Sequence, residues 1–490
     1  MRRRCPGTAD DVGHGARGIV NESREPLHVV VIGAGPGGYP AAFRAASLGL
    51  RVTLIDPEEC PGGVCAHRGC IPSKALLHMA SVLRSAGSAN VMGLQFDQPR
   101  IDLGKMRAWM DEIVLQQTRG LALLTRARRV AYTRGHARFL GERVLEVDGG
   151  DAKSISFDAA IIATGSSCVI PAYFPSKSAR IMDSTAALNL PDVPKSMLVV
   201  GGGYIGLELG TVYAALGSQV TIAEATTGLL PGVDRDLVRP LTARIEKACA
   251  EVLLHTQVLE LRPSERHVTA VLDLPEDGRA TRTFERVLVA VGRKPNSEGL
   301  GLEGVCVDID SHGFVCTDAQ GRTSNPKIFA VGDVTGEPML AHKATHEGHV
   351  AAEAIAGRPT VFEAQAIPAV VFTDPEIAWC GMTESDAKDR GIDVEVIRYP
   401  WLASGRAGIT GSGDGLTKLI IESRSGRMLG AGIVGLGAGD IISECVHAIE
   451  MAATADDMER TIHPHPTLSE TVMEGAALLH DRSPHYKARR

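Results

Sequence analysis

Two segments of the chain repeat one pattern, in which an apolar strand, a glycine-rich turn and a helix are followed by a second strand that ends in an acid. Glycines in such a turn allow a sharp bend, close approach of a pyrophosphate and close helix packing, while the helix N-terminus faces the phosphates. The pattern residues are Gly33, Gly35, Gly38 and Asp56 in the first segment and Gly201, Gly203, Gly206 and Glu224 in the second. The repeat predicts an α/β fold with two Rossmann-like dinucleotide-binding domains.

The acid at the end of each second strand indicates which nucleotide fits. Asp56 and Glu224 each stand 18 residues after the third glycine, where a carboxylate can accept a hydrogen bond from a ribose hydroxyl. A carboxylate would repel a 2′-phosphate, and the next arginine after Glu224, Arg235, lies beyond Pro231 and Gly232. The second site is therefore predicted to bind NAD rather than NADP.

Three further segments have the form of a strand that runs into a polar turn. They are AAIIATGSS with Thr164 and Gly165, RVLVAVGRKPN with Gly292, and FAVGDV with Asp333. An aspartate that follows a strand and a glycine can bond the sugar-like chain of a cofactor, or it can cap the local backbone. The residues alone leave both interpretations open.

The C-terminal part of the chain has a different pattern. From about residue 361 the strand–helix alternation gives way to KLIIESRSGRMLGAGIVG, which predicts two strands around a turn, and then to a helical span. The region ends in HPHPTLSE, where His465 and Glu470 bracket a helix start. These features predict a separate α+β domain.

Composition excludes several classes of partner. The formal charge is −7, from 51 Lys and Arg against 58 Asp and Glu, and the charged residues form no long block of one sign. Nucleic acid is therefore not an expected partner, and no apolar run reaches the roughly 18 residues of a membrane span. The first 25 residues lack the apolar core of a secretory signal and predict a flexible leader. Ten scattered cysteines favour a reducing cytoplasm.

Cys65 and Cys70 stand five positions apart in GGVCAHRGCIPSKALLH. In a regular helix the Cα atoms of such residues are about 8–9 Å apart, whereas a disulfide needs less than about 7 Å. A bridge would require an irregular turn, which Gly62, Gly63 and Gly69 permit. It would enclose few residues and stabilise little, so its value would be chemical. Zinc coordination and two buried free thiols are the alternatives, and zinc would need two more ligands.

The same stretch resembles the redox-active segment of the pyridine nucleotide–disulfide oxidoreductases, and within that family the dihydrolipoamide dehydrogenases. The resemblance runs from residue 28 to about 478 and includes both glycine motifs, ATG, AVGRKPN, FAVGDV, MLAHKA, TDPEIAWCGMTE and HPTLSE in order. It implies FAD at the first nucleotide site and NAD at the second. It also implies oxidation of protein-bound dihydrolipoyl groups through a Cys65–Cys70 disulfide and FAD, with reduction of NAD⁺.

The resemblance implies a role for each residue of the redox site. Cys65 would be the thiol that meets the substrate, and Cys70 would be the charge-transfer thiolate that faces the flavin. Lys74 would pair with Glu208 near the flavin N5. The other implied FAD-site residues are Gly63, Asp333 on the ribityl chain, and Ala341 at the start of a helix whose positive end points at the flavin.

The resemblance places the acid–base pair on a second subunit. His465 would accept the substrate proton, Glu470 would orient its ring, and the pair would serve the disulfide of the partner subunit. This implies a homodimer with shared active sites. The implied protein partners are the lipoyl domains of 2-oxoacid dehydrogenase complexes or the glycine cleavage protein.

The implied domain order completes the prediction. A leader occupies 1–25, an FAD-binding domain 26–169 and an NAD-binding domain 170–290. A central domain at 291–360 packs with the FAD domain, and an interface domain covers 361–490. No metal site is expected, because the histidines of the helical stretch after MLAHKA belong to a segment that matches the family.

Two polar residues between the cysteines are among the departures from the family pattern. Between the cysteines the family usually carries Leu-Asn-Val-Gly, whereas this chain has Ala-His-Arg-Gly with His67 and Arg68. Their positive character is hypothesised to lower the pKa of a thiolate or to favour an acidic substrate tail. Two other functions stay open at this point: an NAD(P)H-dependent reductase of another disulfide or of a metal ion, and a flavin-binding structural subunit without turnover.

Overall fold

The computed structural model describes residues 25–97, 99–149, 154–175, 178–276 and 278–487. The predicted leader therefore lies almost wholly outside the described residues. None of the helices in these ranges is long and apolar enough to cross a membrane.

The strands alternate with helices in the first two thirds of the chain and cluster in the last third. In chain order the strands are β1 (His28–Ile32), β2 (Arg51–Asp56), β3 (Ala131–Arg134), β4 (His136–Gly141), β5 (Val144–Asp148), β6 (Ser154–Ser156), β7 (Ala159–Ile162), β8 (Ser166–Cys168), β9 (Ile181–Met182), β10 (Ser196–Val200), β11 (Gln219–Ala223), β12 (Glu251–Leu253), β13 (Gln257–Pro263), β14 (Val268–Leu274), β15 (Gly278–Phe284), β16 (Arg286–Val289), β17 (Arg293–Pro295), β18 (Ile328–Ala330), β19 (Ala369–Val371), β20 (Glu376–Gly381), β21 (Val394–Pro400), β22 (Leu416–Glu422) and β23 (Met428–Gly435).

The helices connect these strands and cover their sheets. They are α1 (Gly38–Ser47), α2 (Gly63–Arg68), α3 (Cys70–Ser88), α4 (Leu103–Ala127), α5 (Ser184–Leu188), α6 (Tyr204–Ala215), α7 (Arg235–Ala248), α8 (Ala341–Ile355), α9 (Glu384–Asp389), α10 (Gly405–Thr410), α11 (Ala438–Glu450), α12 (Ala455–Arg460) and α13 (Glu470–Leu478). Short 3-10 turns cover Ala89–Met92, Leu302–Val305, Gly332–Val334 and Trp401–Ala403.

Two parallel sheets hold the two glycine motifs. The first has the order β18-β7-β1-β2-β3, and the second has the order β12-β11-β10-β16-β9. β1 and β10 are central strands whose residues are almost all fully buried, as expected for parallel strands covered on both faces. Each central strand leads into a glycine turn and a helix, so the predicted pair of Rossmann-like units is confirmed.

One edge strand of the first sheet, β18, comes from a distant part of the chain. β18 pairs with β7 although β17 and two antiparallel sheets intervene in sequence. This pairing brings the 3-10 turn Gly332–Val334 and the start of α8 beside the glycine turn after β1. The central segment thus adds to the first nucleotide unit, while the exact domain bounds stay a prediction.

The C-terminal part forms an antiparallel sheet of order β19-β20-β23-β22-β21, which α11 and α13 contact. Its core is a separate cluster of buried side chains that includes Trp401, Tyr399 and Ile433. The predicted strand pair around the turn after residue 422 is β22 and β23. The predicted α+β character of this region is therefore correct.

Candidate active site

A cavity of about 660 Å³ lies between the first parallel sheet and the helices α3 and α6. Clefts of this size typically bind cofactors and other small ligands. Its wall contains most of the residues predicted for the first site, although they are scattered in sequence. Those on the wall are Gly33, Gly35, Asp56, Gly63, Cys65, Cys70, Lys74, Thr164, Gly165, Glu208, Asp333 and Ala341.

The glycine turn after β1 has the shape that a pyrophosphate requires. Gly33 has a φ of +97°, and a Cβ there would lie 2.3 Å from the oxygen of Ala163. A Cβ on Gly38 would lie 1.8 Å from the oxygen of Gly33, so α1 could not pack as closely with any other residue. A Cβ on Gly35 would meet only Gly63, at 3.8 Å, and would occupy the cavity. The residues present therefore fit a bound dinucleotide such as FAD.

The second glycine turn repeats this geometry. Gly201 has a φ of +108°, a Cβ on Gly206 would lie 2.1 Å from the oxygen of Gly201, and nothing lies within 4 Å of a Cβ on Gly203. Glu224 is buried and accepts hydrogen bonds from the N–H of Gly202 at 2.6 Å and of Thr226 at 2.7 Å. Gly292 has a φ of +138° and open space around its missing side chain.

The acid of the first site is held in the same way. Asp56 accepts from the N–H of Ala34 at 2.6 Å and of Glu58 at 3.0 Å. Burial raises the pKa of its carboxyl above the ordinary value, and the two N–H groups oppose that rise. Arg235 donates to the carbonyls of Leu229, Leu230 and Val233. The guanidinium of Arg235 therefore makes its hydrogen bonds within its own loop, which agrees with the prediction that no nearby arginine binds a 2′-phosphate.

Asp333 lies on the cavity wall and contacts a residue far away in sequence. Its carboxylate accepts a hydrogen bond from the hydroxyl of Ser166, whose oxygen in turn accepts from Arg293 Nε at 2.7 Å. The partly buried carboxylate of Glu347 accepts from the N–H of Gly332 at 2.7 Å and fixes the turn. Asp333 lies on the wall where a cofactor contact is possible, and that contact stays a prediction.

The two cysteines flank a break between two helices. α2 ends at Arg68, Gly69 has φ −141° and ψ −110°, and α3 begins at Cys70. A Cβ on Gly69 would lie 2.9 Å from the oxygen of Val64 and 3.3 Å from the Cα of Cys65, so only glycine fits this close approach. The predicted irregular turn is therefore present. The side chains of Cys65 and Cys70 lie close enough across this break to change each other's acidity.

The two thiols differ strongly in acidity. The hydrogen bond from Cys65 and the nearby charge of Lys74 together lower the pKa of Cys70 to about 7, against the effect of burial. The same hydrogen bond, together with burial, raises the pKa of the Cys65 thiol. The negative charge of the reduced pair therefore resides on Cys70, the thiol that a low pKa makes the better thiolate.

The carboxylate of Glu208 joins three separate parts of the chain. It accepts from Lys74 Nζ at 2.8 Å, from the hydroxyl of Ser73 at 2.9 Å and from the N–H of Phe372 at 3.0 Å. Lys74 Nζ also lies 4.6 Å from the centre of the Phe372 ring, which is within range of a cation–π contact. The side chain of Glu208 is 4% exposed. This network holds a positive charge beside Cys70.

His465 and Glu470 form a pair away from the cavity. His465 Nδ1 lies 2.9 Å from Glu470 Oε1, and Glu470 Oε2 accepts from the N–H of Thr467 at 2.6 Å. Partial burial raises the pKa of Glu470, but the bonds from Thr467 and His465 outweigh it and lower the pKa below its ordinary value. The side chain of His465 is 72% exposed, and neither residue belongs to the cavity wall.

His67 and Arg68 have contacts that differ from the hypothesis. Arg68 forms an ion pair with Glu58, and His67 Nε2 lies 2.9 Å from the carbonyl oxygen of Cys60. The main charge that lowers the pKa of Cys70 is Lys74. Arg68 is directed to Glu58 and His67 to the Cys60 carbonyl, and the hypothesis that they lower the pKa of the thiolate or favour an acidic substrate tail stays a prediction.

One acidic cluster could suggest a metal, but it already has a cation. Among the described residues, carboxylates of Asp234, Asp236 and Glu384 lie within 4.8 Å of one another. The ammonium of Lys418 contacts all three, and its side chain is 1% exposed. Arg398 adds a second positive charge to the cluster. The cluster is therefore a partly buried ion network that joins the start of α7 to the C-terminal sheet.

Sequence reasoning missed several residues that hold the site together. The hydroxyl of Ser73 and the N–H of Phe372 donate to Glu208. Ser166 donates to Asp333, and Arg293 donates to Ser166. Ser166 belongs to AAIIATGSS and Arg293 to RVLVAVGRKPN, the two segments in which a strand runs into a polar turn. The similar form of these segments was the sequence signal that could have indicated both residues. Nothing in the local sequence indicated Phe372, because its contribution comes from the backbone.

Known proteins match the chain over most of its length. Residues 27–348 match the family described as pyridine nucleotide-disulphide oxidoreductase, and residues 367–476 match the dimerisation domain of that family. The chain belongs to the pyridine nucleotide–disulphide oxidoreductase family. This membership confirms the predicted α/β fold, the FAD and NAD cofactors and the disulfide oxidoreductase class, and its dimerisation domain supports the predicted homodimer.

Individual members of the family agree with this assignment. Dihydrolipoyl dehydrogenase from Vibrio cholerae is 44% identical over 91% of this chain and 94% of its own length. The enzyme of the same name from Geobacillus stearothermophilus is 43% identical over 94% and 97%. Among solved structures, LpdA from Mycobacterium tuberculosis has a TM-score of 0.85 at 25% identity, covering 92% of this chain and 99% of LpdA. The flavoprotein disulfide reductase RclA from Escherichia coli has a TM-score of 0.82 at 26% identity, covering 92% and 100%.

Proposed function

We propose that the chain is a dihydrolipoyl dehydrogenase that oxidises protein-bound dihydrolipoyl groups and reduces NAD⁺. The observation that carries this function is the thiol pair on the cavity wall, in which the pKa of Cys70 is about 7 beside the Lys74–Glu208 ion pair. Relatives that carry this name are 42–44% identical over more than nine tenths of the chain. RclA, which is named a disulfide reductase, is 26% identical.

In the proposed reaction His465, Cys65 and Cys70 each carry out a different part of the attack on the disulfide. In the oxidised enzyme Cys65 and Cys70 form a disulfide. His465 of one subunit takes a proton from one dihydrolipoyl thiol, and the resulting thiolate attacks Cys65 Sγ. The Cys65–Cys70 bond breaks, a mixed disulfide forms between Cys65 and the lipoyl group, and Cys70 leaves as a thiolate beside Lys74. The low pKa of Cys70 makes it the better leaving group.

The second half of the substrate step releases the product. The remaining dihydrolipoyl sulfur attacks the lipoyl sulfur of the mixed disulfide, so that lipoamide forms and Cys65 leaves. The imidazolium of His465 gives its proton to the leaving Cys65, whose raised pKa favours the thiol, and the imidazole then takes the proton of the second dihydrolipoyl thiol. FAD held in the cavity would supply the acceptor for the electron pair of the dithiol and the hydride donor for NAD⁺. Glu470 orients His465 throughout.

The positions of the remaining predicted residues support their proposed roles. We assign the glycine turn after β1, with Gly63 and Asp56, to the adenosine and pyrophosphate of FAD, and Asp333 with the start of α8 at Ala341 to its ribityl chain and flavin. Thr164 and Gly165 complete the wall. The second turn, with Glu224 and Gly292, is assigned to NAD.

The exposed His465–Glu470 pair supports a site shared between two subunits. The side chain of His465 is 72% exposed and faces no cysteine of its own cavity wall. We therefore propose that it completes the site of the partner, and that lipoyl domains of 2-oxoacid dehydrogenase complexes or of the glycine cleavage system are the protein partners. We also keep a cytoplasmic location as a proposal, because working thiols need a reducing compartment; cell fractionation tests it.

The first test is NAD⁺ reduction by the purified protein with free dihydrolipoamide, beside a Cys70→Ser variant. Rapid turnover that the variant lacks is expected. A flavin-loaded protein without lipoamide turnover would refute the proposed substrate and favour the reductase of another disulfide or metal. A protein with no turnover on any disulfide would favour the structural subunit.

The second test addresses the shared site. Cys70→Ser and His465→Gln homodimers should each be inactive. After subunit exchange in an equal mixture, half of the dimers are mixed and each has one intact site, so about a quarter of the wild-type turnover should return. Failure to recover activity despite proven exchange would contradict a site shared between subunits.

A further inference from the structure

Arg68 lies on the wall of the cavity that holds the first glycine turn, and its side chain forms an ion pair with Glu58. We propose that Arg68, held in position by Glu58, is an additional binding residue for the adenosine diphosphate half of FAD. This inference rests on the proposed use of FAD and deepens it, because it assigns a role to a position where the family usually has an uncharged valine.

The contacts of Arg68 place it at the nucleotide end of the cavity. Its partner Glu58 stands two residues after Asp56, and the N–H of Glu58 donates to the Asp56 carboxylate at 3.0 Å. The other oxygen of Asp56 accepts from Ala34 in the glycine turn. At the opposite end of its own helix, Gly63 packs against Gly35 so closely that a Cβ would lie 2.5 Å from the Gly35 Cα. Arg68 is therefore beside the elements that bind ribose and pyrophosphate in such folds.

Charge on the cavity wall favours the same assignment. Among the described arginines and lysines of the wall, Lys74 is bound to Glu208 next to Cys70, and Arg293 donates to Ser166 beside Asp333. Arg68 is the one that lies next to the glycine turn, where a diphosphate brings negative charge. A guanidinium has five N–H donors in a planar fork, and Glu58 takes a bond from Nη1, which leaves donors for phosphate or ribose oxygens.

The loop that holds Glu58 is fixed on several sides. The hydroxyl of Tyr132 donates to the Glu58 carbonyl at 3.0 Å, and Arg134 Nε donates to the Pro57 carbonyl at 2.9 Å. His67 Nε2 lies 2.9 Å from the carbonyl oxygen of Cys60 in the same loop. A guanidinium that is oriented before the ligand arrives loses less conformational entropy on binding. Both departures from the family pattern, His67 and Arg68, thus connect α2 to one loop.

A plain ion pair is the competing explanation. The side chains of Arg68 and Glu58 are 38% and 31% exposed, and partly exposed pairs usually contribute little. Arg282 on β15 and Glu251 on β12 form a pair of similar exposure, 33% and 40%, and neither residue lines the cavity. Arg282→Val is therefore a matched control for Arg68→Val, since each removes one arginine from such a pair.

The experiment measures FAD binding rather than turnover. Apoprotein of the wild type, Arg68→Val, Arg68→Lys and Arg282→Val is titrated with FAD, and binding is followed by flavin fluorescence. ADP is then titrated as a competitor of FAD. We expect Arg68→Val to raise the Kd for FAD and for ADP by about tenfold, the loss of one charge-assisted hydrogen bond. Arg68→Lys should fall in between, and Arg282→Val should match the wild type.

Each outcome has a defined meaning. An unchanged Kd for both ligands in Arg68→Val would overturn the inference, as would an equal loss in Arg282→Val. A raised Kd for FAD with an unchanged Kd for ADP would also overturn it, because the contact would then lie on the flavin half. A wild-type apoprotein that binds no FAD would instead refute the proposed function. The lysine variant keeps the test decisive if Arg68→Val does not fold.

Discussion

The hydrogen bond between the two active-site thiols can be tested by removing its donor. Cys65→Ala deletes the S–H group that lowers the pKa of Cys70, whereas Cys65→Ser replaces it with a hydroxyl that can donate in the same way. Both variants lack the second thiol, so the chemistry of Cys70 is observed alone. The two variants therefore differ mainly in whether Cys70 receives a hydrogen bond.

The magnitude follows from the pKa of Cys70. In the intact pair the pKa is about 7, against an ordinary value of 9.0. Two pKa units correspond to about 2.7 kcal/mol of preference for the thiolate. Because the hydrogen bond from Cys65 is the largest cause, its loss should return most of this shift, while Lys74 retains a part. At pH 8 the thiolate fraction should fall from about 90% to nearer 10–30% in Cys65→Ala.

The assay is the rate of alkylation of Cys70 by iodoacetamide as a function of pH, with the labelled peptide identified by mass spectrometry. A thiolate reacts and a thiol does not, so the midpoint of the rise in rate with pH gives the pKa. We expect a midpoint near 7 in Cys65→Ser and clearly above 8 in Cys65→Ala. Equal midpoints in the two variants would refute the reasoning and assign the low pKa to Lys74 alone.

Two other substitutions test the parts that position the site. Lys418→Met should lower the free energy of unfolding by about 3–5 kcal/mol, because it removes the buried cation of the cluster and leaves Asp236 and Glu384 with only the more exposed Arg398. Arg244→Met removes an exposed pair and should cost less than about 1 kcal/mol in the same denaturant titration; equal losses would contradict this. Gly69→Ala should cost about 1–3 kcal/mol and sharply reduce turnover, because its Cβ would meet the Val64 oxygen at 2.9 Å. Gly87→Ala, with nothing within 4 Å, is its control, and wild-type turnover in Gly69→Ala would show that the break between the helices is dispensable.

Much of the fold could be predicted because its signals are local. The glycine turns after β1 and β10 each belong to a strand–turn–helix–strand unit of about thirty residues. The positive φ that each turn requires is visible in the sequence as a glycine, Gly33 or Gly201. The hairpin of β22 and β23 was equally visible from its turn. Such features depend on short-range sterics and periodicity, which a single sequence contains.

The site itself depends on contacts that a single sequence does not contain. Lys74 and Glu208 are 134 positions apart, and only the resemblance to a known family connected them. The ion pair of Arg68 could not be predicted, because its partner Glu58 belongs to a loop whose position depends on β2 and β3. A single sequence does not show which groups lie next to a charged residue. The effect of that residue on the pKa of a nearby thiol depends on those groups.

The position of Glu208 has a consequence for the newly made chain. Its carboxylate contacts Ser73 and Lys74 on one side and the N–H of Phe372 on the other, so the network is complete only after the first strand of the C-terminal sheet has been synthesised and docked. Until then the ammonium group of Lys74 lacks its fixed place beside Cys70. We therefore expect Cys70 of a nascent chain on the ribosome to have a higher pKa than in the folded protein, because the part that Lys74 contributes is missing. The thiol pair would reach its final acidity last, after the C-terminal sheet has docked.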